Sequence, residues 1–578
     1  EMRQAIVKQG QGRKSSSRSL PAPVGGWNAR DSYAAMGASD AVILENFFPL
    51  PYAVRLRKGF TEWATGITDP VETVLQYRPP TGNGELFAAA GANIFDVSTA
   101  GAVGAAEVSA LTSAQWQYIN FSVGGTAYLY AVNGADKPLL YNGATWTPID
   151  GASVPAVTGV TTTALANINI HKTRVWFCEN ATLKAWYLPT NAVGGAAAAL
   201  DLSNLCQRGG YLVTMATWSY DNGRGMDDYA VFVTSEGEVI VYQGTDPASA
   251  ATWSLVGVYA IGTPLGRRCA VKYGGDLLLI TKDGVVPMSK VQTSTIVTSR
   301  ATITDKIQSA VSEATTLYGA NDGWQIQVFP PENMLLLNVP VGATTQEQYV
   351  MNTITGAWCN FSGMAANCWE LWNDSLYFGG VGTVYKAWTG NNDNGANIVG
   401  EALPAFNYFG SGTQKKRVPM VRPLIAADST AGVLIGLNTD FVLSPPTGSP
   451  SFTPTTASVW DTATWDSGTW GSGELEMKTD WQSVFGTGFC SFKYLQDLDV
   501  DMFKIDGSFV RDLETSDLSK AVIHSITYIA HVLNKITVAE HCESEALITQ
   551  LRELGVDKVQ GYGIHKPQPI GDYFSRTD

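Results

Sequence analysis

Between about Lys58 and Trp388 the chain repeats one small pattern, in which a short apolar run, a turn and a second run often end in an aromatic residue. Examples are ELFAAAGANIFDV, LLYNGATWTPI, NATLKAWYL, VFVTSEGEVIVY, LLLITKDGVVPM, NMLLLNV and LYFGGVGTVYKAW. Their turn residues, Gly91, Gly143, Ala181, Gly237, Gly284, Asn333 and Gly382, recur at roughly 40 to 50 residues, the length that one four-stranded propeller blade needs. The unit is clearest from Trp324 to Trp388: Trp324, Ile326 and Val328 alternate, Met334 to Val339 reads as a buried strand, and Gly356 suits a tight hairpin turn. Sheets set around an axis protect their edges, and a β-sandwich is the alternative. One helix interrupts the pattern, and another is predicted ahead of it. One starts at Asp305, with Ile307, Ala310 and Val311 at helical spacing, and a short one is predicted from Ser39 to Phe47, capped by Ser39 or Asp40.

After the stretch TDWQSVFGTGFCS, Thr479 to Ser491, the pattern changes. Every Trp lies at or before Trp481, whereas His524, His531, His541 and His565 all follow it. Short apolar runs at Met502–Ile505, Ile536–Ala539 and Lys558–Gln560 now alternate with helices. These carry Val522, Ile526, Ile529 and Leu533 on one face, then Leu547, Leu551 and Leu554 on another, which is the order of a parallel β/α arrangement. The fold class expected is mainly β: a β-propeller-like domain with an additional β-rich platform, plus a C-terminal α/β partial-barrel fragment. The divisions are 1–57, a basic arm and docking segment; 58–399, the propeller; 400–484, the platform; and 485–578, the fragment.

Composition narrows the function classes. Apolar residues make up 45% and charged residues 16% of the 578, so the surface must be built from Ser, Thr, Asn, Gln and Gly, as in assembly-forming β-proteins. A net charge of −14 excludes a protein that grips nucleic acid through a basic face, but not a channel through which DNA passes. The seven cysteines are scattered without a C-x-x-C pair, which predicts reduced thiols and no zinc site. No run is long enough for a membrane span and no signal-peptide core opens the chain, so cytoplasmic assembly is expected, with no cofactor and no metal. Arg3, Lys8, Arg13, Lys14 and Arg18 form a basic arm, and Lys415, Lys416, Arg417 and Arg422 a basic turn. Trp460, Trp465 and Trp470 recur at intervals of five, which suits packing in short turns or a sugar-binding surface of an adhesin.

The opening MRQAIVKQGQGRKSSSRSLPAPVGGWNARDS with DAVILENFFPLPYAVRLRKGF, and later VMNTITGAW, LYFGG, AFNYFGSGTQKKRVPMVRP and TDWQSV, resemble the tail tubular protein B or nozzle family of short-tailed bacteriophages, over about residues 2–484. The resemblance implies a propeller-containing virion subunit, assembled in the host cytoplasm as a homo-hexamer. It would meet the adaptor and portal-proximal ring and tail fibre or spike proteins, and pass double-stranded DNA during ejection. It brings no active-site residues.

The remainder, FGTGFCSFKYLQDLDVDMFKIDGSFVRDL, ITVAEHCES and LGVDKVQGYGIHKPQPI, resembles the C-terminal part of an EAL domain, the bacterial cyclic-di-GMP phosphodiesterase. The resemblance implies Lys504 near the nucleophilic water, Glu540 at the metal pair, Glu543 as its companion and Gln560 beside the substrate. It also shows gaps: the two aspartates that precede FGTG in the family are Ser483 and Val484 here, and the earlier ligand strands have no counterpart. The letters EAL at Glu545 to Leu547 fall in a predicted helix. A complete eight-stranded barrel takes about 250 residues. The expectation is therefore a structural, non-enzymatic tail protein with a truncated, inactive EAL segment. The alternatives are a cyclic-di-GMP phosphodiesterase-related protein and a glycan-binding propeller.

Overall fold

A computed structural model describes residues 17–221, 226–293, 302–409, 418–427, 433–439, 441–446, 476–478, 482–483, 502–532 and 535–564. The chain divides into two compact units, Glu1–Gly412 and Thr413–Asp578.

Alternating apolar positions around tight turns make the first unit a series of antiparallel meanders. Seven sheets follow one another along the chain. The first comprises Val71–Tyr77, Glu85–Ala90 and Asn93–Asp96; the second Gln117–Val123, Thr126–Val132, Leu139–Tyr141 and Trp146–Pro148. The third holds Leu165–His171, Arg174–Glu179, Lys184–Tyr187 and Ala198–Asp201, and the fourth Leu212–Asp221, Met226–Thr234, Glu238–Gly244 and Trp253–Ala260. The fifth is Ala270–Tyr273, Asp276–Thr281 and Gly284–Pro287. The sixth is built on Gln325–Phe329, Met334–Val339, Glu347–Asn352 and Trp358–Phe361, the seventh on Cys368–Trp372, Ser375–Gly379 and Val384–Ala387. Five of the seven have four or more strands.

The first strand of each sheet packs against the next sheet, and Cys368–Trp372 of the last returns to Val71–Tyr77 of the first. The ring is closed by hydrogen bonds between strands distant in sequence: Val384–Ala387 pairs antiparallel with the early strand Phe60–Thr65, matching Val384 to Ala64 and Ala387 to Phe60. This is a β-propeller. All seven turn residues singled out from the sequence have positive φ, including the non-glycines Ala181 at 55° and Asn333 at 52°, and one lies in each sheet. Large aromatics fill the spaces between sheets, with Trp116, Trp176, Trp218 and Trp369 fully buried. Truncating such a side chain to Ala typically costs about 3 to 5 kcal/mol.

The segment Ser39 to Phe47 is not helical. It forms the strands Asp40–Glu45 and Phe47–Pro49. Val42 and Ile43 favour the extended form, and pairing on two sides settles it: Asp40–Glu45 runs antiparallel to Glu401–Pro404 and parallel to Gly26–Trp27. The helix from Asp305 is present as a 3-10 turn, Asp305–Ile307, leading into Gln308–Tyr318, which buries Val311 and Ala314.

In the second unit, short antiparallel pairs join Met420–Val421 to Gln482–Ser483 and Ile425–Ala427 to Glu476–Lys478. A separate parallel sheet has the order Met502–Ile505, Ile536–Ala539, Lys558–Val559, with helices Gly507–Arg511, Asp517–Val532 and Glu545–Glu553 between and beside its strands. Leu547 and Leu551 enter its core as expected, and Leu554 packs against it. The face of Asp517–Val532 is turned by about one position from the expected one: Ile523, Thr527 and Ala530 are buried, whereas Val522 and Ile526 are half-buried. Small Thr527 and Ala530 allow close approach to the sheet, which a count of large apolar residues does not detect. Among the described residues, no helix is long and apolar enough to cross a membrane. Arg422 is exposed. Arg3, Lys8, Arg13, Lys14, Lys415, Lys416, Arg417, the Trp460, Trp465 and Trp470 series and the FGTG loop lie outside the described residues.

Candidate functional site

A parallel sheet delivers the C-terminal ends of all its strands to one edge, so residues just past each strand converge there. Lys504 lies in Met502–Ile505 opposite Val538, Glu540 directly follows Ile536–Ala539, and Gln560 directly follows Lys558–Val559. The backbone knits these positions together. The Glu540 amide donates to the Ile505 carbonyl at 3.2 Å, the Gln560 amide to Ala539 at 2.8 Å, and the Cys542 amide to Gln560 at 3.1 Å. Across this edge the Lys504 ammonium donates to Glu540 Oε1 at 2.5 Å.

The other two residues named from the resemblance flank that pair. Glu543 is exposed one residue beyond buried Cys542, and Gln560 is exposed at the end of its strand. Glycines hold the loops close: a Cβ on Gly561 would strike the Cys542 backbone, and one on Gly507 would strike the His541 ring. His541 itself sits at φ 58°. Asp506, after the first strand, accepts from the Ser508 amide at 2.8 Å, and the Ser508 side chain, then its amide, hold the carboxyl below the usual range. Asp557, which the sequence reading missed, accepts from the Thr537 amide at 2.7 Å and its hydroxyl at 2.9 Å, and meets His531 Nε2 at 3.0 Å. It ties a helix end to the central strand, and the Thr537 amide lowers its pKa first of all.

The residues present do not fit a two-cation centre. Such a centre needs a dense set of carboxylates, but among the described residues no group of three or more His, Cys, Asp or Glu is placed to hold a metal. Of the carboxylates near the strand edge, Glu540 is matched to Lys504, Asp506 is committed to its helix cap, and Glu543 is exposed on the loop beyond. What the edge offers is the Lys504 ammonium, the exposed Gln560 amide and two acids, Glu540 and Glu543.

A second polar constellation was not legible from the sequence: Glu370, Tyr118, Gln76 and Arg268 meet inside the propeller.

Residues 483–567 match the model of the EAL domain. In the same region the chain is 42% identical over 89 residues to the cyclic di-GMP phosphodiesterase PdeB of Shewanella oneidensis, covering 15% of this chain and 10% of that protein. It is 40% identical over 94 residues to PdeF of Escherichia coli, also a cyclic di-GMP phosphodiesterase, covering 16% and 13% respectively. Among solved structures, the PaMucR phosphodiesterase in its c-di-GMP complex is 34% identical, with 15% of this chain and 36% of that one covered and a TM-score of 0.15. The chain thus spans about a tenth of the length of these curated relatives. The expectation of a non-enzymatic protein is corrected: its C-terminal EAL segment, expected to be inactive, matches a domain model and relatives that are named phosphodiesterases, which points to an enzyme family. Missing aspartates before FGTG had weighed against an enzyme, yet the similarity extends over the whole 483–567 stretch.

Proposed function

We propose that this is a cyclic-di-GMP phosphodiesterase-related protein whose EAL segment supplies one edge of a cyclic-dinucleotide site. The observation that carries this is the placing of Lys504, Glu540 and Gln560 at the ends of three adjacent parallel strands within the matched stretch. Lys504 would neutralise phosphate charge, while Gln560 and Glu543 would hydrogen-bond the dinucleotide. The carboxylates that this edge lacks would come from a complementary segment. The test is binding and hydrolysis of cyclic di-GMP by the full chain with Mg2+ or Mn2+, followed by chromatography of the linear product. Binding is expected to weaken at least about tenfold in Lys504→Ala, and turnover to vanish in Glu540→Ala. A chain that neither binds nor cleaves the dinucleotide would refute the proposal.

A second reading concerns residues 2–484, the nozzle subunit of a short-tailed phage. It rests on the closed propeller, the fold which that resemblance implies. A homo-hexameric ring around a central hole, in a virion and in contact with adaptor and fibre proteins, follows from it. The mass and image classes of the purified assembly decide: a sixfold ring supports this reading, and a monomer rejects it.

A further inference from the structure

The inner strands of the propeller leave a cavity of about 110 Å3, whose lining includes Thr73, Trp116, Gln117, Tyr118, Arg268 and Glu370. The strands that carry these residues come from different sheets, so the cavity exists only in the closed ring. Glu370 is half-buried and lines the cavity. Its Oε1 accepts from Gln76 Nε2 at 2.8 Å and from the Leu371 amide at 3.1 Å, and its Oε2 from the Tyr118 hydroxyl at 2.6 Å. All three donors are neutral. Glu370 has no ion-pair partner among the described residues.

Arg268 is in the complementary position. Its guanidinium donates to Thr73 Oγ1 at 2.6 Å, to the Glu72 carbonyl at 3.0 Å and, at 3.4 Å, to Gln325 Oε1. These acceptors are neutral as well, and they leave the Nε proton without a partner among the described residues. The Gln117 amide, also on the wall, makes no side-chain hydrogen bond there. A carboxyl group and a guanidinium thus line one small cavity, each hydrogen-bonded to neutral groups and neither in a direct ion pair among the described residues, while Arg78 and Arg268 act on the carboxyl only through space.

A buried charge without a direct ion pair is costly, and burial, outweighing the Tyr118 and Leu371 hydrogen bonds and the attraction of Arg78 and Arg268, pushes the Glu370 carboxyl up to about 7. The molecule that relieves both costs at once carries an ammonium at one end and a carboxylate at the other. Aromatic walls from Trp116, Tyr118 and Trp369 favour the ammonium further. The volume limits the ligand to a few heavy atoms. We propose that this cavity binds a small zwitterion of the α-amino acid class, its ammonium against Glu370 and its carboxylate against Arg268. This site is independent of the EAL segment.

The test is calorimetric titration of the full chain with glycine, L-alanine and L-serine, with methylammonium and acetate as half-probes. At least one zwitterion is expected to bind, each half-probe at least about tenfold more weakly, and Glu370→Gln is expected to weaken the zwitterion by about tenfold or more. No binding of any zwitterion up to about 10 mM overturns the proposal. So does acetate binding as tightly as alanine, which would mark a plain anion site, or unchanged affinity in Glu370→Gln. The half-probe comparison uses the wild-type chain alone and decides the matter even where the variant fails to fold.

Discussion

Glu370 shows what a single enclosed carboxyl does to the pH dependence of the whole propeller. Burial is the largest influence on it and raises its pKa to about 7, against smaller opposing effects from Tyr118, the Leu371 amide, Arg78 and Arg268. The ordinary glutamate value lies near 4.5. Between those two pH values the folded chain holds a proton that the unfolded chain has lost, so stability falls as pH rises through that window. The penalty is complete above about 7 and amounts to roughly 3 kcal/mol at most. Glu370→Gln removes the charge, keeps one acceptor oxygen for Gln76 and the Leu371 amide, and places an N–H donor opposite the Tyr118 hydroxyl, whose oxygen can accept it. Thermal melts at pH 5 and pH 8 are therefore expected to show the variant gaining on the wild type as pH rises, and an unchanged difference would contradict this account. None of it is readable in CWELW, because the residues that enclose Glu370 come from sequence positions hundreds of residues away. Lys504 and Glu540 were named from the resemblance to the EAL family, and parallel pairing of their two strands is what brings them to one sheet edge.

Among the elements, the strands from residues 40–49 depend on one buried cation. The Arg57 side chain is 1% exposed and forks onto Asp393 at 2.7 and 2.6 Å, while also reaching Asn46 Oδ1 at 2.8 Å and the Ser362 carbonyl at 2.6 Å. It fastens three chain segments at once. Removing one partner of such a buried pair leaves the other uncompensated, which costs about 3 to 5 kcal/mol. Arg57→Ala is expected to lower the denaturant midpoint by a corresponding amount, and Arg57→Lys to recover only part, since an ammonium cannot form the planar fork. Equal stability of Lys and Arg at this position would contradict that role. Element types were legible wherever turn chemistry and alternation agreed, as at Gly237 and Asn333. They failed at Asp40–Glu45, where DAVILE has no turn of its own to mark it and its partners, Gly26–Trp27 and Glu401–Pro404, lie on either side in space. In Asp517–Val532 the type was right but the face was not, because contact with the sheet falls on Thr527 and Ala530.

At the level of the molecule, the change of vocabulary near residues 479–491 separates two ways of building a core. Before it, antiparallel meanders share aromatic side chains between neighbouring sheets. After it, one parallel sheet rests on helices around Ile505, Ile523, Ala539 and Leu551. The composition announced that contrast, and a propeller was expected from the turn spacing. The join that completes the ring was not, because Phe60–Thr65 carries no sign of which later strand it will meet.

That join sets the order in which the protein can be made. As the chain leaves the ribosome, Phe60–Thr65 emerges early with one edge unsatisfied and must wait until Val384–Ala387 has been synthesised. Until then the first and last sheets have no common wall, and the cavity lined by Glu370 and Tyr118 does not exist. Synthesis interrupted anywhere before Val384 would release an open arc with unpaired strand edges, a species prone to self-association rather than a smaller working propeller.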